Sequence, residues 1–113
     1  MVTEKKILIP IYGYVLDIII VDYWEELSDI LPDRIIEAGA NAVSINGRDS
    51  STVIVLSHSI DSIIHEAEHI KNFIWRYIGY KPQRDNDEVD AYLLTYIHRK
   101  IMEVFCKHNN INI

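Results

Sequence analysis

The run His65-Glu66-Ala67-Glu68-His69 places two histidines four positions apart with a glutamate directly after the first. On a helix these imidazoles stand one turn apart, separated by about 40° in rotation and about 6 Å in rise, so both can reach one Zn²⁺ ion. Glu66 leans toward the same place. A bound zinc lowers the pKa of its water, and a nearby carboxylate can accept the proton as that water attacks a carbonyl carbon. The pattern therefore points to metal-assisted hydrolysis, with His65 and His69 as metal ligands and Glu66 as general base.

A catalytic zinc takes three protein ligands and keeps a fourth position open. The extension of the motif to a third histidine is excluded, because Asn72 stands at its glycine position and Trp75 at its histidine position. The remaining common solution is a carboxylate from a following helix. The segment Asp85-Asn86-Asp87-Glu88-Val89-Asp90 offers Asp85, Asp87, Glu88 and Asp90, and each can equally serve as an acid favoured at a helix N-terminus. Tyr92 and Tyr96 follow Glu88 at one and two helical turns. Either phenol can stabilise an oxyanion at the site or pack into the core with its hydroxyl at the boundary. Glu68 or Asp90 can orient a ligand imidazole through its second nitrogen. His58, His98 and His108 read as surface residues, with His98 a lesser candidate for a supporting role, and Cys106 reads as a core residue.

The elements that position these groups follow from hydrophobic spacing. Residues 7–11 and 14–21 are rich in β-branched and aromatic types around Gly13, which predicts two strands or one bent strand. The nearly unbroken apolar run 15–21 implies burial on both faces. Leu27, Ile30, Leu31, Ile35 and Ile36 suggest a helix within residues 23–38, bent or broken at Pro32. Residues 42–45 and 52–56 flank the turn pair Asn46-Gly47 and predict a hairpin whose second strand, 52–56, is the candidate edge for pairing with an extended peptide. Ile63, Ala67, Ile70, Ile74 and Tyr77 fall on one stripe, giving a motif helix over about residues 60–78 that stops at Gly79. A last helix is expected from about Asp87 to Lys107, with Val89, Leu93, Tyr96, Ile97, Ile101, Val104 and Phe105 on its apolar face. The expected fold is α+β: one domain over residues 1–113, a small mixed or antiparallel sheet packed against the motif helix and the C-terminal helix.

At this point the residues resemble a known group. A β-rich first half, a hairpin, the His65 to His69 motif, and then Asn86-Asp87-Glu88 followed by Ala91-Tyr92-Leu93 are similar to small gluzincin-like zinc metallopeptidases encoded by phages. The likeness runs over about residues 14–102. It implies zinc held by His65, His69 and Glu88, with Glu66 as general base and a peptide or protein as substrate; Tyr92, one turn after Glu88, stands as a catalytic candidate by its spacing. The chain lacks the second lobe that completes the cleft in larger members. The alternative is a non-catalytic phage structural or host-interaction protein in which zinc only pins two helices together.

Composition bounds the remaining choices. The 113 residues, 49% of them hydrophobic, suffice for one ordinary core. A net charge of -6 disfavours nucleic acid as a partner, whose footprint is a basic stripe. Lys5-Lys6 followed by apolar residues has the look of a signal peptide, but Pro10, Gly13 and Asp17 interrupt it, and no run is long enough to span a bilayer. With one cysteine and hence no internal disulfide, the expected location is the cytoplasm, that of a bacterial host if the chain is phage-encoded.

Overall fold

A computed structural model describes residues 1–29 and 39–112. Strand β1, Val2–Ile9, pairs antiparallel with β2, Tyr14–Val21, and β2 runs parallel to β4, Ser50–Leu56. Strand β3, Ala42–Asn46, joins β4 antiparallel, so the sheet order is β1-β2-β4-β3. Helix α1, Ser62–Ile78, and helix α2, Glu88–His108, both cover one face. The fold is α+β, as expected. No described helix is long and apolar enough to cross a membrane.

Two features of the sheet depart from the sequence reading. Strand β1 begins at Val2 rather than Ile7, and its Glu4, Lys5 and Lys6 are exposed. Charges of this kind suit an outer strand, where they discourage pairing with other chains; here the strand is specified by its ladder to β2 rather than by its own apolarity. The expected peptide-facing edge, residues 52–56, is instead interior, because β4 lies between β2 and β3. Val53 to Leu56 are buried on both faces, and a strand of that kind belongs in the middle of a sheet. Among the described residues the outer strands are β1 and β3.

The helix-side core forms from two stripes of matching period. Ile63, Ala67, Ile70 and Ile74 of α1 and Leu93, Ile97, Ile101 and Val104 of α2 meet Leu16, Ile18, Ile20, Val53 and Val55 of the sheet. On the opposite face Ile19, Val21, Ile54 and Leu56 pack against Trp24 and Leu27 of a short 3-10 helix, Trp24–Leu27. The Trp24 Nε1–H donates to the Ala40 carbonyl at 2.7 Å, which satisfies the one polar atom this ring brings inside. The two-sided burial expected over residues 15–21 is realised only from Ile18 to Val21; Val15 is exposed and Asp17 half-buried, because that end of β2 has no layer over its second face among the described residues. Of the helix expected within residues 23–38, the part from Ile30 to Ala38, including the Pro32 break, lies outside the described residues.

Local stops match their residue types. Gly79 ends α1 at φ 75°, and the Tyr80 N–H returns to the Trp75 carbonyl at 2.9 Å, closing the last turn with a left-handed glycine. The β3–β4 hairpin does form, but its Gly47 is not left-handed, so the turn is not the two-residue mirror-image type that Asn-Gly favours. Here glycine is needed for space: the Gly47 N–H donates to the Ser50 carbonyl at 2.7 Å, and a Cβ at this position would stand 2.8 Å from that same oxygen.

The far end of α2 is clasped to the sheet by His108, which the sequence reading had placed on the surface. It is buried, its Nδ1 lies 2.7 Å from Thr3 Oγ1, and its Nε2 lies 2.8 Å from Asp22 Oδ1. The Asn109 amide adds a bond to the Ser57 carbonyl at 3.1 Å. The His108 imidazole, with the Ser57 hydroxyl and the N-terminal amine behind it, holds the Asp22 carboxyl well below the usual carboxylate range. A polar ring can be buried here because both of its nitrogens find partners.

Asp17 is the opposite case. It sits on β2 opposite Lys6, its Oδ1 is buried without a partner among the described residues, and burial followed by the neighbouring Glu4 carboxyl pushes it up to about 6. Because this folded-state value exceeds the unfolded one, the folded protein carries an ionisation penalty above about pH 6 that is relieved as pH falls toward 4. Asp17→Asn is accordingly expected to raise the unfolding midpoint at pH 8, with the gain shrinking through pH 6 and gone near pH 4; an equal gain at pH 4 would assign the effect to something other than ionisation. Gly47→Ala is expected to cost about 1–3 kcal/mol in urea denaturation, the range for forcing atoms into occupied space.

Candidate functional site

Helix α1 carries the His65 to His69 run over the β3–β4 half of the sheet, while α2 covers β2 and β1. His65 and His69 are exposed on the solvent side of α1. Their Nε2 atoms lie 3.1 Å apart with the rings nearly perpendicular, 4.8 Å between centroids. His69 in turn stacks on Phe73 at 6.5 Å. The two ring nitrogens are thus within hydrogen-bond distance of each other.

Glu66 points elsewhere on the same helix. It is buried, and its Oε1 accepts a hydrogen bond from the Ser44 hydroxyl of β3 at 2.9 Å. Its Oε2 has no partner among the described residues. The carboxylate is therefore held against β3. Sequence reasoning named Glu66 but missed Ser44, since a serine in a short strand carries no signal of what crosses over it.

The acidic segment after α1 is organised by a lysine that the sequence reading also missed. Lys71 is buried, with its Nζ 2.8 Å from Glu68 Oε1 and 2.9 Å from Asp90 Oδ2. Burial pulls its ammonium pKa down, but the two carboxylate bonds outweigh this and leave it raised. The Trp75 Nε1–H donates to Asp90 Oδ1 at 2.6 Å, so both oxygens of Asp90 are engaged. Glu68 and Asp90 are thus committed to Lys71 rather than to either histidine. The available signal was a lone lysine between Ile70 and Ile74, flanking the apolar stripe and three residues after Glu68, where a charge needs a partner.

The bond from Asp90 to α1 also settles where its neighbours point. Glu88 and Tyr92 lie two residues to either side of Asp90, about 160° around the helix from it, and so face away from α1. Both are exposed, Tyr92 by 71%. Tyr92 joins Tyr12 and Tyr96 in lining a separate cavity of about 260 Å³ at the β1–β2 turn. Among the described residues, no three His, Cys, Asp or Glu side chains converge as a metal-holding group. The arrangement brings His65 and His69 together, whereas Glu66, expected to lean toward them, is buried against Ser44, and Glu88, Asp85, Asp87 and Tyr92 also stay outside the pair. Two imidazole nitrogens are one donor short of the three protein ligands a catalytic zinc takes.

Compared with known protein families, curated proteins and solved structures, the chain matches none of them.

Because Lys71 neutralises two carboxylates in a buried position, its removal leaves Asp90 unpaired. Lys71→Met is expected to cost about 3 kcal/mol in urea denaturation, and adding Asp90→Asn should recover part of that loss. Equal losses in the single and double variants would show that the ion pair is not what holds the helices together.

Proposed function

We propose that the chain is a small zinc-dependent peptide hydrolase of the gluzincin kind, with His65 and His69 holding the metal and Glu66 acting as the base. The observation that carries this reading is the approach of the two Nε2 atoms to 3.1 Å on a helix whose Glu66 is held against β3. Bound zinc would supply Lewis acidity and an activated water. Ser44 engages Glu66 Oε1 and leaves Oε2 as the atom that accepts a proton. Among the described residues no strand pairs with the outer side of β3, and an extended peptide can pair there, on the strand whose Ser44 holds that carboxylate. The role of edge strand passes from residues 52–56 to β3.

A second reading has its own support. With Glu68 and Asp90 held by Lys71 and Glu88 turned outward, the site presents two protein donors, which suits a metal that is bound without turnover in a protein-interaction domain. Two measurements separate the readings. Elemental analysis of untagged protein should find about one zinc per chain, lost in His65→Ala and His69→Ala; retention in Glu88→Ala fits the two-donor geometry, and loss would return Glu88 to the ligand set. A quenched-peptide library assay should then show hydrolysis that falls at least about a hundredfold in Glu66→Gln, as expected for loss of a general base. Zinc without hydrolysis favours the interaction domain. Absence of zinc after reconstitution would remove both readings.

A further inference from the structure

The turn between β1 and β2 carries a projection and a hollow side by side. Ile11 is 95% exposed and sits at φ 77°, a left-handed conformation that a β-branched residue adopts only under strain. Next to it, Ile9, Pro10 and Tyr12 of the turn and Tyr92, Leu93 and Tyr96 of α2 line the open cavity of about 260 Å³, which has room for a branched aliphatic side chain. A strained aliphatic residue held in water beside an apolar hollow is a costly arrangement for an isolated chain.

The exposed side of α2 has an ordered charge pattern. Glu88, Tyr92, Thr95 and Arg99 recur at intervals of four, three and four residues, which places them on one stripe, and all four are exposed. Neither Glu88 nor Arg99 forms an ion pair among the described residues. The stripe is acidic at its first residue and basic at its last. Turned end for end it is its own complement: Glu88 meets Arg99 of a second copy at both ends, with Tyr92 and Thr95 between them.

We propose that this face is a two-fold interface between two copies of the chain, with antiparallel α2 helices and Ile11 of each copy seated in the hollow of the other. A self-complementary surface must hold both a knob and its socket, and both ends of any charge pattern, as this one does. The interface uses α2 and the β1–β2 turn. The histidine pair and β3 stay free, so dimerisation and the proposed hydrolysis do not compete for one surface.

Sedimentation velocity of the full chain over a range of concentrations tests this. A reversible dimer is expected, and Ile11→Asp should raise its dissociation constant at least about tenfold. Glu88→Arg and Arg99→Glu should each weaken it by about tenfold, since each turns two attractions into two repulsions. An equimolar mixture of these two single variants should dimerise again, because every facing pair is then opposite in charge. Ile11→Gly relieves the backbone strain, and its thermal midpoint confirms that the turn still folds. A parent that stays monomeric at every concentration, or a dimer that responds to none of the substitutions, overturns the proposal. So does failure of the mixture to restore association.

Discussion

The buried ammonium of Lys71 fixes the rotation of the two helices against each other, and most of the functional geometry depends on it. An amine inside a helix pair must find anions, and the two it finds come from different places: Glu68 from its own helix and Asp90 from the next. With Trp75 also bonded to Asp90, the start of α2 has one rotational setting. That setting sends Leu93, Ile97 and Ile101 to the core, and Glu88 and Tyr92 outward. One ion pair thus decides both how the core closes and which acids stay away from the histidines.

The sheet supplies the second constraint. Because β4 is buried on both faces and paired on both sides, it provides the rigid centre on which α1 rests, and β3 is left outermost. The motif helix packs across β3 and β4, so Glu66 meets Ser44 on the outer strand instead of reaching solvent.

The two ends of α2 contrast. Its last turn is locked, with His108 bridging Thr3 and Asp22 and Asn109 reaching Ser57, so that β1, β2 and the end of β4 are tied to one helix terminus. Its first turns carry exposed aromatic surface beside the strained Ile11.

The sequence by itself determined the elements whose periodicity is strong and local. The apolar stripe from Ile63 to Ile74 and the stripe from Leu93 to Val104 are helices with those residues inside, Gly79 ends the first, and the β-rich runs at residues 14–21 and 52–56 are strands. The spacing of His65 and His69 carried their convergence, because one helical turn sets it without help from the rest of the chain. What only the tertiary structure decided is everything that crosses between elements. Strand order made β3 rather than β4 the edge, and the ladder to β2 drew the charged residues of β1 into a strand. Long-range polar pairing buried His108 against Thr3 and Asp22, which no local pattern signals. The orientation of Glu88 and Tyr92 followed from the partner of Asp90, and a helix's rotation about its own axis is a property of what it packs against.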